Sequence, residues 1–154
     1  MIMKNDYFFL SNFYPCTVII DIEGRMLTYQ NSEAAFQAQK NYELADKFCL
    51  LKALEAKRYG KAIPLTTPNW NQYRLVAMAK CLNSKFLINH DLLEKLKKVD
   101  EPIVEDNYWG DQFWGVCKGK GKNMLGKMLT NIKENDNNFS KLIEYINNEL
   151  IKEC

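Results

Sequence analysis

The chain has no apolar run near the roughly 20 residues that cross a bilayer, so a membrane-spanning helix is not expected. Its opening, MIMKNDYFFLSNFYP, is interrupted by polar residues too early to be expected as a signal sequence. There is one histidine, His90, which leaves little room for a histidine-rich metal site or a Ser-His-Asp triad. Within INHDLL, His90 reads as a residue of a helix start. The five cysteines, Cys16, Cys49, Cys81, Cys117 and Cys154, are odd in number, scattered and without a CxxC pair. That excludes a disulfide frame and argues against a zinc site, and it points to reduced thiols in a cytoplasmic compartment. The net charge is only +2. A general nucleic-acid binder is not indicated, and any basic patch must be local.

No linker, repeat or low-complexity tract divides the chain, so one domain over residues 1–154 is expected. At 47% hydrophobic and 26% charged residues, it can bury an ordinary core. Two apolar, β-branched runs flank Glu23-Gly24 in TVIIDIEGRMLTY, residues 17–29, and predict a hairpin. A helix should start near Ser32. Residues 44–58 repeat with helical period, and Gly60 is a plausible stop. Thr67-Pro68 opens a helix expected to reach about Phe86. Residues 91–98 form a short amphipathic helix, and two more are expected over 122–134 and 139–151. Residues 99–121 read as irregular. The fold class expected is α+β, mostly helical, with a small N-terminal hairpin.

Within SEAAFQAQK, residues 32–40, Glu33, Gln37 and Lys40 fall at i, i+4 and i+7. On a helix that puts them along one face, with Lys40 about 10 Å from Glu33 and leaning toward it. Two readings are open: a solvated polar stripe, or the lining of a pocket for a small ring such as a sugar. In EDNYWGDQFWGVCKGKGKNMLG, residues 105–126, Trp109 and Trp114 each precede a glycine, the second being Gly115, and Asp111 lies between. Such aromatic faces suit stacking on a base. Lys118, Gly119, Lys120 and Gly121 lead through Asn123 into a predicted helix. A glycine turn there would offer backbone N–H groups to phosphate, or be a flexible basic turn. Arg58, Arg74 and Lys85 are secondary phosphate candidates. In YFFLSNFYP, Asn12 and Phe13 are either packed near the hairpin or placed against a ligand.

Taken together, FLSNFYP (9–15), SEAAFQAQK (32–40), AKRYGK (56–61), NW (69–70), RLVAMAKCLNSKF (74–86), IVE (103–105), DQFWG (111–115) and GKGKNMLG (119–126) resemble the NADAR, or YbiA-like, family in order. The resemblance runs from about Phe9 to Lys133. It implies an N-glycosidase that hydrolyses a ribose–nitrogen bond. Two substrate groups go with the family: ADP-ribose on guanine bases of DNA or RNA, and phosphorylated early intermediates of riboflavin synthesis. Glu33 and Lys40 match functional positions, Lys40 matching a lysine linked to a Schiff base. Trp109, Asp111 and Trp114 match the family's aromatic and acidic segment. The chain departs from the family at Ala34, where His is frequent, and at Asn69, where Asp is frequent; Asn69 is expected to cap the helix that follows.

The implied chemistry suits these residues. Cleaving a ribose–nitrogen bond builds positive charge on the sugar, which a carboxylate such as Glu33 stabilises, or relieves by moving a proton. An uncharged Lys40 could attack an opened sugar. Asp111 could hold ribose hydroxyls or water, and hydrolysis by Glu33 and Asp111 without a covalent lysine is the alternative. A domain that binds ADP-ribose without cleaving it is the competing class. No metal or cofactor is expected.

Overall fold

The computed structural model describes every residue from Met1 to Cys154. The fold is α+β and mainly helical, with a small antiparallel sheet near the N-terminus. The residues group into two compact units, Asn12–Asn89 and Met1–Ser11 with His90–Cys154.

The Asn12–Asn89 unit begins with the hairpin. Strand β1 (Pro15–Ile22) pairs antiparallel with β2 (Arg25–Asn31) around Glu23-Gly24. Both turn residues have positive φ, 51° and 86°, as a tight two-residue hairpin requires. Val18, Ile20 and Ile22 alternate inward and are buried. Helix α1 (Ser32–Ala38) follows directly, capped by Asn31, whose Oδ1 accepts the Ala34 N–H at 2.7 Å. A 3-10 helix (Tyr42–Phe48), α2 (Ala53–Ala62) and the long α3 (Trp70–Ile88) complete the unit. Helix α1 packs against α2, α3 and the hairpin, and its Ala34, Ala35, Phe36 and Ala38 are buried.

Three sequence expectations differ from the structure. The helical period over 44–58 resolves into two pieces, the 3-10 helix and α2, with residues 49–52 between them. Gly60 is not a stop, because α2 runs through it to Ala62. Asn69 also differs: it precedes α3 in the left-handed region (φ 54°) and makes no side-chain cap bond. Asn and Asp both tolerate that conformation, so backbone geometry favours either residue there.

In the other unit, a 3-10 helix (Asn5–Leu10) and helices α4 (His90–Lys97), α5 (Met124–Glu134) and α6 (Phe139–Asn148) surround an aromatic loop. The stretch 99–121 is largely irregular, as expected, apart from a two-residue parallel pairing of β3 (Asp106–Asn107) with β4 (Val116–Cys117). Leu92 and Leu96 of α4, Leu125, Met128 and Leu129 of α5, and Leu142 and Ile146 of α6 are buried at helical spacing. No helix is long and apolar enough to cross a membrane, and no group of histidines, cysteines and carboxylates is placed to hold a metal ion.

Candidate functional site

In the Asn12–Asn89 unit the structure brings Glu33, Gln37 and Lys40 together, by a route the helical spacing did not give. Helix α1 ends at Ala38, so Lys40 is not helical. The chain tightens instead. The N–H of Gln39 bonds to Phe36 O, and that of Lys40 to Gln37 O, both at 3.1 Å. In such a three-residue turn, positions i and i+3 eclipse, so Lys40 remains above Gln37.

That turn is firmly held. Gln39 is buried, and its Nε2 donates to Ala35 O and Ala77 O, each at 3.1 Å, and to the Cys81 sulfur at 3.2 Å. The Thr67 hydroxyl donates to Gln39 O at 2.6 Å. The carbonyl of Lys40 accepts the N–H groups of Thr66 and Thr67, both at 3.1 Å. The Lys40 backbone therefore cannot shift without breaking bonds to α1, α3 and residues 66–67.

The side chains divide the work. Glu33 is partly exposed, and its Oε1 accepts the Gln37 Nε2–H at 2.9 Å. Gln37 is buried. Lys40 is half-buried, and its pKa is lowered by burial, opposed by the Glu33 charge and reinforced by Lys61. Burial wins over the nearby carboxylate, so the amine is biased toward its uncharged, nucleophilic form. Phe36 packs on Trp70, ring centroids 5.4 Å apart, and Trp70 on Tyr73 at 6.2 Å, placing an aromatic row on α1 and α3. Asn12 accepts the Glu33 backbone N–H through its carbonyl at 3.0 Å, while its side-chain Oδ1 is buried without a hydrogen bond. Phe13 lies under the Lys57 amine, 5.9 Å from the ring centroid.

In the other unit the aromatic loop is ordered around Asp111. Its Oδ1 accepts the N–H groups of Phe113 (3.0 Å) and Trp114 (2.9 Å). Asn107 clamps its backbone, donating to Asp111 O at 2.8 Å and accepting the Asp111 N–H at 3.0 Å. One carboxylate oxygen thus shapes the loop and leaves Oδ2 outside these bonds. Trp114 stands edge-on to Phe113 with centroids 4.8 Å apart, and Trp109 is 53% exposed. Gly115 is needed for close approach, since a Cβ there would sit 2.3 Å from Glu105 O.

The turn at GKGK is tight, and its exit is tied to the aromatic loop. Lys118 (φ 52°) and Gly119 (φ 76°) form a tight turn in which Cys117 and Lys120 exchange backbone bonds at 2.8 and 3.1 Å. The N–H groups of Lys122, Asn123, Met124 and Leu125 go to carbonyls of Gln112, Gly115, Phe113 and Trp114. These amides secure the loop to the start of α5, whereas the N–H groups of Gly119 and Gly121 take no part in these bonds and the side chains of Lys118 and Lys120 are exposed. Gly121 (φ 149°) lies against Gly115 O. Asn123, expected to meet substrate, uses its amide internally: Oδ1 accepts the Glu105 N–H and Nδ2 donates to Ile103 O, both at 3.0 Å.

Of the secondary phosphate candidates, Arg58 is exposed and Arg74 partly so, whereas Lys85 is fully buried. Its amine lies over the rings of Tyr14 and Phe86, at 5.8 and 5.5 Å, and burial pushes its pKa down to about 8. A surface phosphate contact does not suit it. The sequence reading missed Gly60 and Trp70 as site neighbours. For Gly60 the available signal was a glycine inside a helical pattern, where alanine would be the better helix former.

The NADAR domain profile matches residues 2–135. The N-glycosidase YbiA of Escherichia coli is 33% identical over 143 residues, spanning 85% of this chain and 82% of that protein. The Shigella boydii N-glycosidase YbiA matches to the same extent. An N-glycosidase of Acanthamoeba polyphaga mimivirus is 25% identical over 125 residues, covering 69% of this chain and 74% of its own. The NMR structure of E. coli YbiA superposes with a TM-score of 0.72 at 30% identity, over 87% of this chain and 80% of that one.

Proposed function

The chain belongs to the NADAR family and is an N-glycosyl hydrolase, and from that premise we propose that it removes ADP-ribose from guanine bases of DNA or RNA. The observation that carries the reading is the pairing of Glu33 with a half-buried Lys40 whose charged form burial disfavours. As the glycosidic bond lengthens, Glu33 stabilises the positive charge growing on the ribose. The bond to the base nitrogen breaks, a water adds to the cationic ribose carbon and gives up a proton, the base nitrogen takes a proton so that guanine is restored, and the ribose so formed opens to its aldehyde. The uncharged Lys40 amine attacks the carbonyl carbon of the opened ribose and expels water as a Schiff base; a second water later returns the sugar and the amine. Asp111 is assigned to ribose hydroxyls or to water, and Trp109 and Trp114 to stacking, on the strength of the family resemblance.

Phosphorylated intermediates of riboflavin synthesis are the second reading, favoured by the net charge of only +2, which suits a small substrate as well as a single modified base. Mass spectrometry after incubation with guanine-ADP-ribosylated DNA and RNA oligonucleotides tests the choice. Free ADP-ribose with restored guanine is expected. ADP-ribose bound but not released would mean a reader, and neither binding nor release would turn attention to the riboflavin intermediates.

A further inference from the structure

Gln37 is 6% exposed, yet its two amide atoms meet very different neighbours. Nε2 donates to Glu33 Oε1 at 2.9 Å, whereas Oε1 is buried without a hydrogen-bond donor. What faces that oxygen is the backbone of α2 at Gly60. A Cβ built on Gly60 would lie 2.1 Å from Gln37 Oε1 and 2.6 Å from its Cδ. The glycine Cα–H is therefore the only surface on which the amide can lie, and a C–H···O contact is the most that Oε1 receives. Turning the amide over would put the NH2 group against that CH2 and bring two oxygens together at Glu33. The hydrogen bond to Glu33 thus sets which end of Gln37 points at the carboxylate, and Gly60 leaves room for the other end.

We propose that Gln37 and Gly60 form a positioning pair that holds Glu33 as an oriented carboxylate, making it the stabiliser of the sugar cation and not the proton donor. The inference deepens the glycosidase reading and rests on it for the reaction, though the pair's effect on Glu33 can be measured without a substrate. A buried N–H donor favours the ionised carboxyl over the protonated one. Titratable groups near Glu33 include Lys40 beyond α1, which also feels Lys61 of α2, and the buried Cys81 thiol of α3, which burial keeps protonated. The Cys81 sulfur accepts a hydrogen bond from Gln39, and Gln37 donates to the Glu33 carboxylate itself.

The test is NMR of the Glu33 carboxyl carbon in glutamate-labelled protein, the signal being assigned by its loss in Glu33→Gln. Gln37→Met keeps the shape and removes the donor. Gly60→Ala keeps the Gln37 side chain but puts a methyl where its amide lies, so the amide must move; thermal unfolding of both variants establishes that they are folded. In both variants the Glu33 titration midpoint is expected to rise by about one pH unit. Single-turnover cleavage is expected to slow while substrate affinity holds. An unchanged midpoint in both variants overturns the proposal, and a shift in Gln37→Met alone overturns the part given to Gly60. If the wild type cleaves no ADP-ribosylated guanine, the substrate reading fails, and the titration still decides this one.

Discussion

Among single residues, Lys40 is the one on which the proposed Schiff-base chemistry turns. Its amine is held half-buried near Glu33, where desolvation outweighs the attraction of the carboxylate. Borohydride added during turnover should therefore reduce a sugar adduct onto the Lys40 peptide, visible by peptide mass spectrometry, and Lys40→Arg should lose it. Turnover with no adduct would leave hydrolysis by carboxylates alone. Lys85 gives a second prediction through pH. Its folded pKa of about 8 lies below the ordinary 10.5, so between those values the unfolded chain binds more protons and stability rises with pH. Below about pH 8 the amine is protonated in both states, and the folded chain carries the full cost of burying its charge. Urea unfolding of wild type and Lys85→Met from pH 7 to 10 should show the balance moving toward wild type as pH increases. Glu33, Gln37 and Lys40 were legible in the sequence as a cluster, but Gly60 was not. Its role depends on where α2 passes Gln37, and no local pattern encodes that.

At the scale of elements, α1 matters because it is short and tightly bounded. Asn31 closes its N-terminus from the end of β2, and its Nδ2 also donates to Leu51 O at 3.1 Å. Asn31→Ala should cost about 1–2 kcal/mol in chemical denaturation, from the lost cap and the stranded Leu51 carbonyl. The hairpin and most helices were readable because alternation and helical period are local signals. The end of α1 was not, because SEAAFQAQK carries no glycine or proline stop, and the helix is ended by distant partners: Gln39 reaching Ala77 and Cys81, and residues 66–67 bonding to Lys40 O. The tie between the basic turn and the aromatic loop was not readable either, because GKGKN has the composition of an anion loop and nothing local shows that Lys122 and Asn123 donate their N–H groups to Gln112 and Gly115.

For the whole molecule, a modest net charge and a helical α+β fold suit an enzyme that acts on one glycosidic bond, not a protein that grips long stretches of nucleic acid. The central claim is that Glu33 stabilises the charge that develops when the ribose–nitrogen bond breaks. Its most direct test is the single-turnover rate of Glu33→Gln against wild type, with matched thermal unfolding to establish that both are folded. The expected rate is at least about 100-fold lower, with substrate still bound. A folded Glu33→Gln protein that cleaves at the wild-type rate would contradict it.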